Sequence, residues 1–128
     1  MRLNQVTLPA RDIEASVAFY TGMGFELIVH DAHYARFKAS DGDGTFSVHC
    51  EPQLTPPGDI VIYFETGALD RTVEELQTKG YVFSQLPRDE PWLWREARLV
   101  DPAGNRLCLY HAGENRLNPP WRVQRQQP

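Results

Sequence analysis

At 128 residues and 41% apolar composition, the chain has the length of one domain and enough apolar side chains for a core. A net charge of −4 and a pI near 5.5 argue against the basic face that nucleic acid requires. The longest apolar stretch, Asp59–Phe64, is too short to cross a bilayer, no secretory leader is expected before Leu3, and Cys50 and Cys108 read as free thiols, so a cytoplasmic protein is expected.

In chain order, the first strand is expected over Leu3–Leu8, with Leu3, Gln5 and Thr7 on one face and Asn4, Val6 and Leu8 on the other. Asp12 can cap a following helix, because its carboxylate accepts from the free N–H groups of the first turn. Ile13, Val17 and Tyr20 share a face of that helix, and Gly24 can take the left-handed conformation that ends it. Phe25–His30, Tyr34–Ala39 and Thr45–Cys50 read as strands, the last two joined by a hairpin at Asp41-Gly-Asp-Gly44.

The pattern then starts again. Shifted by 56 residues, Gln5–Leu27 overlays Val61–Phe83 without a gap: Val6 meets Ile62, Ile13 meets Leu69, Val17 meets Val73 and Gly24 meets Gly80. The second copy is expected as a strand at Ile60–Glu65, a helix at Ala68–Thr78 and strands at Tyr81–Leu86, Trp92–Leu99 and Arg106–Tyr110. The organisation expected is a first module at 1–53, a linker at 54–58 holding two prolines and a glycine, a second module at 59–112 and a tail at 113–128. In the tail, Trp121 is expected to dock on the body or on a partner chain. The fold class is α+β: two tandem βαβββ modules forming a cupped eight-stranded mixed sheet with helices on its outer face. A ligand site is expected between the modules.

Particular words of sequence carry a family resemblance. They are Val6-Thr-Leu-Pro9, Asp12-Ile-Glu-Ala-Ser-Val-Ala-Phe-Tyr20, Gly24-Phe25 and Asp101-Pro-Ala-Gly-Asn-Arg-Leu-Cys-Leu-Tyr110. Together with the repeated strand order, they resemble the vicinal oxygen chelate superfamily of glyoxalases, bleomycin-resistance proteins and extradiol dioxygenases, over nearly the whole chain. The resemblance implies a homodimer. In metal-dependent members it also implies four strand positions that hold a divalent ion such as zinc, nickel, manganese or iron. Those positions are Gln5, Ser47, Val61 and Cys108, and Val61 has no donor atom. A displaced set drawn from Gln5, His49, Glu65 and Cys108, with Thr7 beside them, is the alternative.

Two functions stay open at this point. One is a small-molecule pocket with no cofactor, lined by Gln5, Thr7, Ser47, His49, Tyr63, Glu65, Trp92, Trp94, Arg106, Cys108 and Tyr110. The other is a divalent-metal lyase or isomerase of the lactoylglutathione lyase type, with Glu65 as its base. Among aromatic residues, Glu65 is expected to have a raised pKa, or else to pair with Arg106 or Arg95. Trp92 and Trp94, two apart, are expected to share a strand face. Cys108, between Leu107 and Leu109, is read first as a packing residue. A membrane or nucleic-acid partner is not expected.

Overall fold

A computed structural model describes residues 1–51, 53 and 58–124, so the expected linker lies outside the described residues apart from Gly58. The first half contains β1 (Gln5–Ala10), α1 (Ile13–Gly22), β2 (Glu26–His30), β3 (Tyr34–Lys38) and β4 (Thr45–Cys50). The second contains β5 (Val61–Glu65), α2 (Leu69–Thr78), β6 (Gln85–Asp89), β7 (Arg95–Val100) and β8 (Arg106–His111), followed by a short 3-10 turn at Gly113–Arg116. The strands form two four-stranded sheets, ordered β1-β4-β3-β2 and β5-β8-β7-β6. The second order is the first displaced by four, which is the repeat expressed as topology. The α+β class and the βαβββ order are as expected from sequence.

The repeat holds at the level of single bonds. Both helices span ten residues and start and stop at corresponding positions. Gly24 and Gly80 have φ of 103° and 94°, where a side chain would be strained, and each terminates its helix. Phe25 N–H returns to the Tyr20 carbonyl at 3.2 Å, and Tyr81 N–H to the Leu76 carbonyl at 3.1 Å. Only the first helix has a side-chain N-cap, in which Asp12 accepts from Ala15 N–H at 3.2 Å.

The chain forms two compact units, Met1–Val61 with Val100–Arg106, and Ile62–Leu99 with the residues from Leu107 onward. In the first, α1 packs on β2, β3 and β4. Ala35, Phe37 and Val48 are wholly buried there, and Tyr20, Phe37 and Phe46 meet at ring centroid distances of 4.9–5.3 Å. The buried stripe of α1 is Ile13, Ser16 and Tyr20, so Ser16 takes the place expected for Val17. In the second unit, α2 buries Leu69, Val73 and Leu76 as expected.

Three strands differ from expectation by two residues or more: β1 runs Gln5–Ala10 where Leu3–Leu8 was expected, and β6 and β7 start late. β6 starts at Gln85 and not at Tyr81, because its ladder to β7 begins with Gln85 opposite Arg98 and is interrupted between Gln85 and Arg88, where Pro87 has no N–H to give. β7 starts at Arg95 and not at Trp92, because Leu93 turns the chain with φ of 68° and its N–H bonds the Glu90 carbonyl at 3.0 Å. Trp92 is therefore on a turn. Trp121 is 58% exposed.

Candidate functional site

Each sheet has one face packed on apolar side chains and one that carries chemistry. On the first sheet, strand alternation sends Ala35, Phe37, Phe46 and Val48 inward and leaves Tyr34, Arg36, Lys38, Thr45, Ser47 and His49 on the opposite face. β1 lies parallel to β4 with Gln5 beside Thr45 and Thr7 beside Ser47. Ser47 is wholly buried under its neighbours. Gln5 Nε2 donates to Ser47 Oγ at 2.8 Å, Tyr34 Oη lies 2.5 Å from the same oxygen, and Arg36 Nε donates to Tyr34 Oη at 3.0 Å. Gln5 Oε1 accepts from the Thr45 hydroxyl. The hydrogen bond to Ser47 and the Arg36 charge together hold the Tyr34 phenol below its ordinary pKa. Thr7 is exposed, and His49 is spent on Glu51 at 3.1 Å.

On the second sheet the chemistry is aromatic. The rings of Trp94 and Tyr110 stack with centroids 4.6 Å apart and planes 20° apart. Tyr63 stands edge-on to both, at 5.9 and 5.5 Å, and is 44% exposed. The Arg98 guanidinium lies 6.0 Å from the Tyr63 centroid. It donates to the Glu96 carboxylate at 2.7 Å, while the Trp92 indole N–H donates to the other oxygen, also at 2.7 Å. Glu96 is 1% exposed. Cys108 is wholly buried close to this pair, and burial followed by the Glu96 charge pushes its thiol up to about 12.

Glu65 belongs to a different arrangement. Its Oε2 accepts from the backbone N–H groups of Ala112 and Gly113 at 2.8 and 2.9 Å, with Arg116 at 3.7 Å and His111 at 3.9 Å. Burial works to raise this carboxyl, but the two N–H donors and the two cationic neighbours outweigh it and hold the pKa below its usual value. The expected raised pKa is thus reversed, and the pairing partners are Arg116 and His111 in place of Arg106 or Arg95. Arg106 pairs with Asp59 at 3.2 Å. Because the folded-state pKa is depressed, Glu65 contributes stability above the unfolded carboxyl pKa, and that contribution is lost as pH falls through the folded value. Urea midpoints at pH 7 and pH 3 should therefore converge for Glu65→Gln relative to the parent chain. An unchanged acid dependence would remove Glu65 from this role.

These engagements decide the fit to a metal. Of the four positions implied by the family, Val61 offers no donor atom, and Ser47 is a neutral hydroxyl at the centre of a hydrogen-bond network. The Gln5 amide is used at both ends, and the Cys108 thiol stays protonated well above neutral pH, which makes it a poor ligand. In the displaced set, His49 and Glu65 are each tied to local partners. Among the described residues no group of three or more His, Cys, Asp or Glu side chains converges as a ligand set. The donor set does not fit a divalent ion.

The structure thus brings Gln5 and Ser47 together, and separately Tyr63, Trp94 and Tyr110. Trp92 does not share a strand with Trp94, but its indole reaches the same face through Glu96. A shallow pocket of about 250 Å³ beside the start of α2 is lined by residues such as Leu69, Asp70, Arg95 and His111, and none of the expected ligand residues lines it. Its Arg95 is committed to Asp70 and Asp89 at 2.9 and 3.1 Å. Three residues of these faces were not expected from sequence: Tyr34, Arg36 and Arg98. The period-two alternation Tyr34-Ala-Arg-Phe-Lys38 and Trp94-Arg-Glu-Ala-Arg98 carries the signal, once one apolar face of each strand is assigned to the core.

Tandem βαβββ modules, each with one sheet face given over to polar and aromatic side chains, define a paired-module α+β protein. The chain belongs to the Glyoxalase/Bleomycin resistance protein/Dioxygenase superfamily, whose family model matches residues 2–109. Solved structures share the fold. A glyoxalase/bleomycin resistance protein/dioxygenase from Nocardioides superposes with a TM-score of 0.77 at 21% identity, covering 97% of this chain and 90% of that one. The bleomycin resistance determinant encoded on transposon Tn5 gives 0.74 at 23% identity, over 87% and 98%. A bleomycin-binding protein complexed with bleomycin gives 0.70 at 24%, over 87% and 98%. No curated protein sequence matches the chain. Among the described residues no helix is long and apolar enough to cross a membrane.

Proposed function

We propose that the protein binds a small organic molecule through a flat ring seated on the Tyr63, Trp94 and Tyr110 face, without the divalent ion used by metal-dependent relatives. The observation that carries this reading is the solvent access of that aromatic group. In the first unit the clustered rings Tyr20, Phe37 and Phe46 are sealed in the core, whereas here Tyr63 is 44% exposed and Trp94 is half-buried. A partly exposed aromatic group, with Tyr63 at the surface and the 6%-exposed Tyr110 stacked behind Trp94, beside a fixed carboxylate–guanidinium pair has the makeup of a ligand site: apolar surface with a few placed polar groups. The fold shared with a bleomycin-binding protein supports the same reading. A carboxyl held below its usual pKa makes Glu65 a weak general base, which favours binding over catalysis. The protein is read as a homodimer, a reading supported by the exposed Val82 and Leu86, which are available for pairing.

The test is a tryptophan-fluorescence titration with a panel of planar aromatic compounds that includes bleomycin. At least one should bind saturably, and Trp94→Ala should weaken it by about tenfold or more. Equal affinity in Trp94→Ala would remove the aromatic face from the site.

A further inference from the structure

We infer that Arg36, on the polar face of the first sheet, is a subsite for the carboxylate of a small apolar organic acid. This goes beyond the ring-binding reading and does not depend on it, because every group involved belongs to the first unit.

Half-burying a guanidinium costs solvation, and proteins ordinarily offset that with a carboxylate. Among the described residues three arginines are half-buried: Arg36, Arg95 and Arg98. Arg95 pairs with Asp70 and Asp89, and Arg98 pairs with Glu96. Arg36 has no carboxylate within ion-pair distance among the described residues, in a chain whose net charge is −4. What holds it is a tyrosine. Its Nε donates to Tyr34 Oη at 3.0 Å, and its Cζ lies 5.5 Å from the centroid of the same ring. Tyr34 is in turn fixed by the buried Ser47, and Ser47 by Gln5. A guanidinium anchored through Nε keeps its two Nη groups as a fork, which matches the two oxygens of a carboxylate.

The surroundings choose among anions. The other cation on this face, Lys38, donates to the Ala39 carbonyl at 3.0 Å and stands opposite Glu26 in the ladder to β2. His49 faces Glu51. Lys38 forms no ion pair among the described residues either, but its ammonium is turned onto a backbone acceptor. The planar Arg36 fork is the group left to meet an anion, and a fork matches the two oxygens of a carboxylate. Opposite Arg36 on β2 is Val29, 37% exposed, so the wall beside the fork is apolar. The ligand class is therefore an apolar acid with a single carboxylate.

The experiment follows the side-chain Nε–Hε resonance of Arg36 in ¹⁵N-labelled protein, assigned by its disappearance in Arg36→Gln. Benzoate, benzamide and inorganic phosphate are titrated at matched ionic strength. Benzoate should shift the resonance saturably, with a dissociation constant on the order of 1–10 mM, as a fragment of that size allows. Benzamide, its neutral isostere, should not, and phosphate should bind more weakly than benzoate. The response should persist in Trp94→Ala, which separates this subsite from the aromatic face. Because Arg36→Gln alone could perturb the strand, Arg36→Lys serves as a second variant: it keeps the charge but loses the fork, and should weaken benzoate about tenfold, read from backbone amide shifts of Tyr34 and Ser47. An equal response to benzamide, tighter binding of phosphate, loss of the response in Trp94→Ala, or full benzoate affinity in Arg36→Lys would each overturn the inference.

Discussion

Asp101→Ala should cost about 3–5 kcal/mol of folding stability, because it removes the acceptor for four donors in the interior. Asp101 is 3% exposed. Its Oδ1 accepts from the backbone N–H groups of Ala103 and Asn105 at 3.0 and 2.8 Å. Its Oδ2 accepts from the Asn105 amide at 2.8 Å and from the Tyr20 hydroxyl at 2.6 Å. Asn105 Nδ2 also reaches the Pro9 carbonyl at 2.9 Å. Alanine would leave the wholly buried Tyr20 hydroxyl and two backbone donors without their partner. Tyr20→Phe removes one donor and leaves the turn intact, so it should cost less, about 1–2 kcal/mol. Urea unfolding followed by far-UV circular dichroism measures both. If Asp101→Ala stays within about 1 kcal/mol of the parent chain, the turn is held by something other than this network.

Glu96→Ala should be the next most damaging change, at about 2–3 kcal/mol, with a red shift in tryptophan emission. The carboxylate is the common partner of Trp92 Nε1 and Arg98, each at 2.7 Å. Its removal strands a guanidinium that is only 33% exposed. It also unties Trp92 from the turn in which Leu93 holds φ of 68°, a conformation that costs a branched side chain about 1 kcal/mol. Glu96→Gln keeps the acceptor for Trp92 and loses the charge opposite Arg98, so it should lie between the two. Emission and stability both unchanged in Glu96→Ala would show that Trp92 is held by its turn alone.

The repeat was legible because it is written in local chemistry. Asp12 as a cap, Gly24 and Gly80 as left-handed stops, and the apolar spacing of Leu69, Val73 and Leu76 act within a few residues of themselves, and each took its expected place. The Asp101–Asn105 turn was recognised as a motif in the same way. Its buried bond to Tyr20 was not, because those residues are far apart in sequence and nothing local distinguishes an aspartate that accepts from a tyrosine from one that faces water.

Site residues divide along the same line. Tyr63, Trp94 and Tyr110 were named from sequence because aromatic residues at alternating positions suggest a common face, and the structure does bring their rings together, with Trp94 just ahead of β7. Glu65 was named as well, but the direction of its pKa shift is the reverse of that expected. Its nearest donors are the N–H groups of Ala112 and Gly113, whose approach depends on the turn after β8 and not on any residue type. Tyr34, Arg36 and Arg98 were passed over because polar residues on a strand read as solvated until their neighbours are known.

By itself the sequence determined the tandem βαβββ order, the helix limits, the core face of α2 and the family, since caps, glycines and apolar periodicity act at short range. Tertiary structure alone decided which charges are answered and which are not. Arg95 and Arg98 meet carboxylates while Arg36, among the described residues, meets a phenol and no carboxylate, and Cys108 is sealed beside Glu96. Pairing, burial and the resulting pKa depend on distances between strands, and no single segment of sequence contains those distances.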